Sequence, residues 1–144
     1  MLTIDSPFPS QGADKRILIA DDDPFARDIY RFMLERAGFA VEEADNGRST
    51  LVQATHSVPD LLLLDVMMPI IDGYSVCQQL RKIPQTANLP ILMLSALGDI
   101  TSRLKGLGMG ADQFLTKPVT ANHLVHTIHL TLAEYAVRQQ EVER

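Results

Sequence analysis

The chain has 144 residues, which suits one domain with a hydrophobic core of ordinary size. Its 46% hydrophobic and 22% charged residues are typical of a globular protein and exclude a disordered or fibrous one. The net charge of -5, without a dense Lys/Arg cluster, argues against direct nucleic-acid binding. No apolar run approaches the ~20 residues that span a bilayer, so no membrane association is expected. The single cysteine excludes an internal disulfide, and the first residues lack a signal pattern, which favours a cytoplasmic location.

The chain is predicted to divide into three parts. Residues 1–13 contain two Pro, two Ser and one Gly without periodicity, which is typical of a flexible leader. The folded domain is predicted over residues 14–136. Residues 137–144 are predicted to be a polar tail or the start of a linker helix.

The first strand and helix carry the clearest local signals. An apolar run predicts a strand over residues 16–20, and a helix is predicted to follow over residues 24–37. Asp23 can cap this helix, Pro24 suits its first position, and Gly38 suits its C-terminal stop. The apolar residues with helical spacing are Phe25, Ile29, Phe32, Met33 and Leu34.

Strands and helices continue to alternate along the chain. Further strands are predicted over residues 39–42, 61–64, 91–94 and 113–116, and further helices over residues 46–56, 74–82, 99–109 and from about residue 121. The runs ILIA, LLLL and ILML lack polar alternation, as central parallel strands do, whereas the mixed FAVEEA suits an edge strand. Internal Gly106 and Gly108 predict that the fourth helix is the least stable. The pattern predicts a doubly wound α/β fold, a flavodoxin-like five-stranded parallel sheet in the order 2-1-3-4-5 flanked by five helices.

Polar side chains follow four of the predicted strands. They are Asp21 and Asp22 after the first strand, Asp65 after the third, Ser95 after the fourth and Lys117 after the fifth. Ligands of open parallel sheets bind beyond the carboxyl ends of the strands, so these side chains are expected to share one shallow pocket. Three closely spaced carboxylates require a divalent cation, and oxygen ligands suit Mg²⁺, which commonly completes its shell with waters and a phosphate.

This set of side chains favours phosphoryl transfer. Asp65, alone at the centre of the sheet edge, is the expected nucleophile and would form an acyl phosphate. Lys117 and Ser95 would hold the phosphoryl oxygens, since such transfers depend on positioning and charge stabilisation. Asp21 and Asp22 are better placed as metal ligands or, for one of them, as a ligand of a metal-bound water.

At these positions the sequence closely resembles the receiver domains of two-component response regulators. The matching segments are ILIADDDP, LLLLDVMMPIIDG, ILMLSA and ADQFLTKP, and the likeness covers about residues 14–136. It implies that Asp65 accepts a phosphoryl group, with Mg²⁺, from a sensor histidine kinase or a histidine phosphotransfer protein. It further implies a switch that controls a downstream effector protein or output domain. Such a domain catalyses only its own phosphorylation and dephosphorylation and is not a metabolic enzyme.

The resemblance also assigns roles to individual residues. It implies that Asp22, Asp65 and the backbone carbonyl of Met67 bind Mg²⁺, while Asp21 acts mainly through water. It places Ser95 as the switch hydroxyl and Phe114 as the switch aromatic, a position where many relatives carry Tyr. It also implies a cis peptide bond between Lys117 and Pro118.

Two other functions fit parts of this pattern. In a haloacid-dehalogenase-like phosphatase, Asp21 and Asp23 would be the paired aspartates, with Ser95 and Lys117 in later motifs. That interpretation lacks acidic metal ligands after Lys117 and leaves Asp65 unexplained. A flavin-binding module fits less well, because acids replace the hydroxyl- and glycine-rich phosphate loop. Asp23 is more simply interpreted as a helix cap than as a metal ligand.

The last helix raises two further questions. His123, His126 and His129 recur every three residues, but without a companion cluster they favour a solvated face over a metal site. Six residues fall at alternating spacings of three and four, as in a coiled-coil seam: Val125, Ile128, Leu132, Tyr135, Gln139 and Val142. The alternatives are an amphipathic helix that covers the sheet and a seam that would make a homodimer.

Overall fold

The computed structural model describes residues 15–143, so the leader predicted over residues 1–13 lies outside the described residues. The elements in chain order are β1 (Arg16–Ala20), α1 (Pro24–Arg36), β2 (Ala40–Ala44), α2 (Gly47–His56), β3 (Leu61–Asp65), α3 (Gly73–Arg81), a 3-10 turn (Pro84–Thr86), β4 (Ile91–Ser95), α4 (Ile100–Gly108), β5 (Gln113–Thr116) and α5 (Ala121–Glu143). The 3-10 turn was not predicted, and β2 begins one residue later and ends two residues later than predicted.

The five strands form one parallel sheet in the order β2-β1-β3-β4-β5, which confirms the predicted fold and strand order. Successive side chains of a strand point to opposite faces, so each central strand contributes to two cores. Leu62 and Leu64 pack with residues of α2 and α3, whereas Leu61 and Leu63 pack with residues of α1 and α5. β3 and β4 are buried along their whole length, as the unbroken apolar runs predict.

The predicted ends of α1 are confirmed. The Asp23 carboxylate accepts a hydrogen bond of 3.0 Å from the Phe25 N–H, and Pro24 begins the helix. Gly38, with a φ of 95°, follows the C-cap residue Ala37 and adopts the left-handed backbone that favours glycine. These local signals fix the direction in which α1 leaves the β1 edge.

The apolar residues of α1 divide between two faces. Leu34 is buried and Met33 packs against the same core, but Phe25, Ile29 and Phe32 are exposed. The buried face instead includes Tyr30, which was not in the predicted set. Residues three and four positions apart can lie on either of two overlapping faces, so spacing alone does not decide which face meets the sheet.

α4 also exposes its apolar residues, since Ile100, Leu104 and Leu107 all face solvent. Gly106 is the one residue of α4 that is buried, and it packs against Phe114. α4 is therefore held through few side chains.

The apolar face of α5 that suggested a seam is turned towards its own domain. Val125 and Ile128 are buried, and Leu132, Tyr135 and Gln139 line a cavity of about 470 Å³ against the rest of the chain. This favours the amphipathic helix over a coiled-coil seam as far as Gln139. Residues 137–143 continue the helix. None of the helices within residues 15–143 is long and apolar enough to cross a membrane.

The loop from β3 to α3 contains a strained residue. Ile70 has a φ of 71° and is fully exposed, and the Ile71 N–H donates to the Pro69 carbonyl at 2.8 Å across it. A positive φ within such a three-residue turn is rare, and it is unfavourable for a β-branched side chain.

Replacing Ile70 with glycine is expected to raise the free energy of unfolding by about 1 kcal/mol, because relief of backbone strain outweighs the entropy of glycine. The urea midpoint of unfolding measures the gain. Ile70→Ala is the matched control, since it removes the exposed branched side chain but keeps the Cβ that causes the strain. An equal rise in the free energy of unfolding in both variants would show that the backbone strain at residue 70 is not the cause of the stabilisation.

Candidate functional site

Parallel pairing brings the ends of β1, β3, β4 and β5 to one edge. Asp21 directly follows β1, Asp65 ends β3 and Ser95 ends β4, and all three are buried. The Lys117 N–H donates to the Ser95 carbonyl at 2.8 Å, which places Lys117 beside the end of β4. Residues far apart in sequence therefore meet where the strands end.

Three carboxylates form a compact cluster at this edge. Asp21, Asp22 and Asp65 each offer an oxygen, and these oxygens lie within 4.8 Å of one another. The Asp23 N–H donates to Asp21 Oδ1 at 2.9 Å, and Arg27 Nη1 donates to the Asp21 carbonyl at 2.7 Å, so the loop before α1 is held in place. Asp22 is exposed, which leaves the cluster open to solvent on one side.

Lys117 completes the cluster. Its Nζ lies 3.2 Å from Asp21 Oδ2 and 3.2 Å from Asp65 Oδ1. The peptide bond between Lys117 and Pro118 is cis, as the resemblance implied. One ammonium group thus bridges the two buried carboxylates.

Asp65 and Lys117 both have shifted pKa values. Burial and the neighbouring Asp21 raise the pKa of Asp65 to about 6, while Lys117 and the Met67 backbone N–H act in the opposite direction. Burial alone would lower the pKa of Lys117, but the Asp65 and Asp21 carboxylates outweigh it, and the pKa is raised. At neutral pH Asp65 is therefore mainly ionised beside a charged ammonium.

The cluster fits a hard divalent cation. Its side-chain donors are carboxylate oxygens, and one side of the pocket is open for water or a phosphate oxygen, which is the environment that Mg²⁺ prefers. Met67 lies two residues after Asp65 in the β3–α3 loop, and its side chain is exposed. Among residues 15–143, this is the one group of acidic, His or Cys side chains close enough to hold a metal, and His123, His126 and His129 are not part of it.

Ser95 ends β4 at the edge that carries this cluster, and Phe114 of β5 lies next to α4. Ser95 is fully buried, and its Oγ accepts a hydrogen bond of 3.0 Å from the Leu97 N–H. Phe114 is also buried and packs against Gly106 of α4, where an added Cβ would lie 2.7 Å from the Phe114 ring. Arg103 of α4 donates to the Phe114 carbonyl at 2.9 Å. α4 is thus attached directly to β5 at the predicted switch residue.

The geometry separates the receiver and phosphatase interpretations. Asp65, which the phosphatase interpretation left unexplained, lies inside the cluster. Asp23, which it required as a paired aspartate, caps α1 instead.

Tyr30 is a neighbour of the site that the sequence patterns did not predict. The ammonium of Lys117 lies over the ring of Tyr30, 5.9 Å from its centroid. Tyr30 belongs to no motif and sits within an amphipathic helix, so only the three-dimensional structure relates it to the pocket.

A doubly wound domain with an acidic pocket and a bridging lysine at the carboxyl edge of its sheet belongs to the flavodoxin-like class that binds ligands at that edge. A family model described as the response regulator receiver domain matches residues 17–129. The chain belongs to this family and is a response-regulator receiver domain.

Individual relatives agree with this assignment. The chain is 43% identical over 117 residues to the DNA-binding dual master transcriptional regulator RpaA of Synechocystis sp., covering 81% of this chain and 48% of that protein. It therefore spans about half the length of that relative. Among solved structures it is similar to the signal receiver domain of a signal transduction histidine kinase from Syntrophus aciditrophicus (32% identity, TM-score 0.77, covering 83% of this chain and 91% of the other). It is also similar to chemotaxis protein CheY4 of Vibrio cholerae (30%, TM-score 0.77, covering 81% and 98%).

Proposed function

We propose that Asp65 accepts a phosphoryl group from a phosphohistidine of a sensor histidine kinase or a histidine phosphotransfer protein. A carboxylate oxygen of Asp65 forms the new P–O bond while the P–N bond of the phosphohistidine breaks. The bonding electron pair stays with the imidazole nitrogen, which takes a proton from solvent. The observation that most supports this proposal is the bridge from Lys117 to both Asp21 and Asp65, at 3.2 Å each.

The other residues of the pocket have distinct roles in this proposal. Asp21, Asp22, Asp65 and the backbone carbonyl of Met67 would hold Mg²⁺, with Asp21 acting mainly through water. The bound ion would stabilise negative charge on the phosphoryl oxygens. Lys117 donates to one phosphoryl oxygen and Ser95 to another, which orients the group on Asp65. The chain thereby catalyses its own phosphorylation and, by admitting water to the same pocket, its own dephosphorylation.

The surface around the pocket favours a protein donor. Met67, Ile70 and Leu97 lie on the two loops that follow β3 and β4, and they are 57%, 103% and 50% exposed. Three exposed apolar side chains beside a polar pocket are typical of a surface that contacts another protein.

The output of the switch is proposed to pass through α4. The new charge on Asp65 draws the Ser95 hydroxyl towards the phosphoryl oxygens, and Phe114 transmits the change to α4 through Gly106 and Arg103. α4 then acts on a downstream effector protein or domain. A relative named as a DNA-binding transcriptional regulator supports transcriptional control as the kind of output.

Incubation with acetyl phosphate and Mg²⁺, followed by intact-mass measurement, tests the proposal. The wild-type chain is expected to gain one phosphoryl group, and Asp65→Asn is expected to gain none, because the amide is not a competent nucleophile. An adduct that persists in Asp65→Asn would overturn the assignment of the acceptor.

Asp23→Asn is the matched control at the same edge. Asparagine caps a helix as well as aspartate does, so this variant should keep the adduct. Sustained release of phosphate that depends on Asp23 would instead support the phosphatase interpretation.

A further inference from the structure

Lys117 is surrounded by more than its two carboxylate partners. Its ammonium lies 3.2 Å from oxygens of both Asp21 and Asp65 and over the face of the Tyr30 ring, 5.9 Å from the centroid. The electron-rich face of an aromatic ring attracts a cation, and the attraction strengthens where water is partly excluded. The Lys117 side chain is 24% exposed, so water only partly screens this contact.

Tyr30 is held firmly in its place. It is 8% exposed and packs in the core cluster with Ile19 of β1 and Leu34 of its own helix. α1 is in turn fixed next to the pocket by the Asp23 cap and by the bond from Arg27 to the Asp21 carbonyl. The ring is thus a rigid surface, whereas a lysine has four rotatable bonds and loses considerable entropy when it is held in one position.

We propose that Tyr30 is a positioning residue that holds the Lys117 ammonium where it meets the phosphoryl group on Asp65. The ring attracts the ammonium and restricts its stem, so that Lys117 stays directed at the pocket as Asp65 changes from carboxylate to acyl phosphate. The inference rests on the proposed function, and it adds a residue that lies in none of the four matching segments.

The experiment replaces the ring in graded steps and measures the rate of adduct formation with acetyl phosphate and saturating Mg²⁺. Tyr30→Phe keeps the π face and should react within about twofold of the wild-type rate, whereas Tyr30→Leu should react about fivefold more slowly. A series with 4-fluoro-, 3,5-difluoro- and 3,4,5-trifluorophenylalanine at position 30 keeps the ring shape and weakens its negative face. The rate should fall progressively along this series, and the NMR resonance of Lys117 Nζ should shift with it.

Phe32→Leu is the matched control on the same helix. Phe32 also has a cation over its ring, that of Arg36 at 5.6 Å, but it faces solvent, so the rate should stay unchanged. If the fluorinated series reacts at one constant rate, Tyr30 serves only in packing and the inference is overturned. The fluorinated series remains a valid test even if Tyr30→Leu fails to fold, because the fluorinated rings preserve the packing.

The same assay separates this inference from the proposed function. Loss of the adduct in Asp65→Asn, together with constant rates along the fluorinated series, would overturn the role of Tyr30 alone. An adduct on Asp65→Asn would overturn the proposed function, and the role of Tyr30 would fall with it.

Discussion

Replacing Lys117 with methionine is expected to slow phosphorylation of Asp65 by about 100-fold, the usual effect of removing one charged donor to a developing phosphoryl or oxyanion charge. Methionine keeps an unbranched side chain of similar reach but cannot donate to Asp65, from which the Lys117 Nζ lies 3.2 Å. The rate of adduct formation with acetyl phosphate, followed by intact mass at saturating Mg²⁺, measures the change.

Magnesium binding distinguishes this role from a purely structural one. Lys117 shares Asp21 and Asp65 with the proposed ion, so its removal should leave Mg²⁺ affinity unchanged or tighter. Asp22→Asn, which removes a ligand charge at the open side of the cluster, should weaken that affinity. Calorimetric titration with Mg²⁺ compares the two variants. Loss of Mg²⁺ binding in Lys117→Met would contradict the proposal, since the lysine would then be needed to shape the pocket.

Replacing Gly73 with alanine is expected to destabilise the domain by about 3 kcal/mol, because α3 begins against the backbone of Asp65, the proposed phosphoryl acceptor. The Gly73 N–H donates to the Val66 carbonyl at 2.9 Å. An added Cβ would overlap the Asp65 carbonyl oxygen and would lie 2.8 Å from Val66 Cα. Backbone atoms cannot rotate away as a side chain can. The urea midpoint should fall, and the phosphorylation rate of the folded fraction should fall as well.

Gly108→Ala is the control for this substitution. Nothing lies within 4 Å of a Cβ built at Gly108, at the end of α4, so alanine should stabilise the domain by about 0.5 kcal/mol through the entropy of the unfolded chain. Equal effects of the two substitutions would show that close approach at Gly73 is not the cause.

Much of this architecture could be predicted because each signal was local. The caps Asp23 and Gly38, the apolar runs of β3 and β4, and the polar residues after each strand depend on neighbours in sequence and on the geometry of parallel sheets. The grouping of Asp21, Asp65 and Lys117 followed from that geometry, since parallel strands end at one edge.

Other features depend on contacts between distant segments. The spacing of Phe25, Ile29 and Phe32 fits a helix equally well whichever face meets the sheet, and only the packing of Tyr30 and Leu34 shows which face does. Likewise, the glycines of α4 predicted a weak helix, but not that Gly106 makes room for Phe114. These contacts depend on how the helices pack on the sheet in three dimensions, which the residue types alone do not specify.

One of the two outer strands of the sheet, β2, carries charges that affect how another chain could pair with it. Its two glutamates are tied to arginines, Glu42 to Arg16 at 3.1 Å and Glu43 to Arg27 and Arg31 at 3.0 and 2.7 Å. A rim carrying these fixed charges resists the addition of a foreign strand, a common route to aggregation. Strand addition at the β2 edge, next to the buried strand β1, is thereby disfavoured.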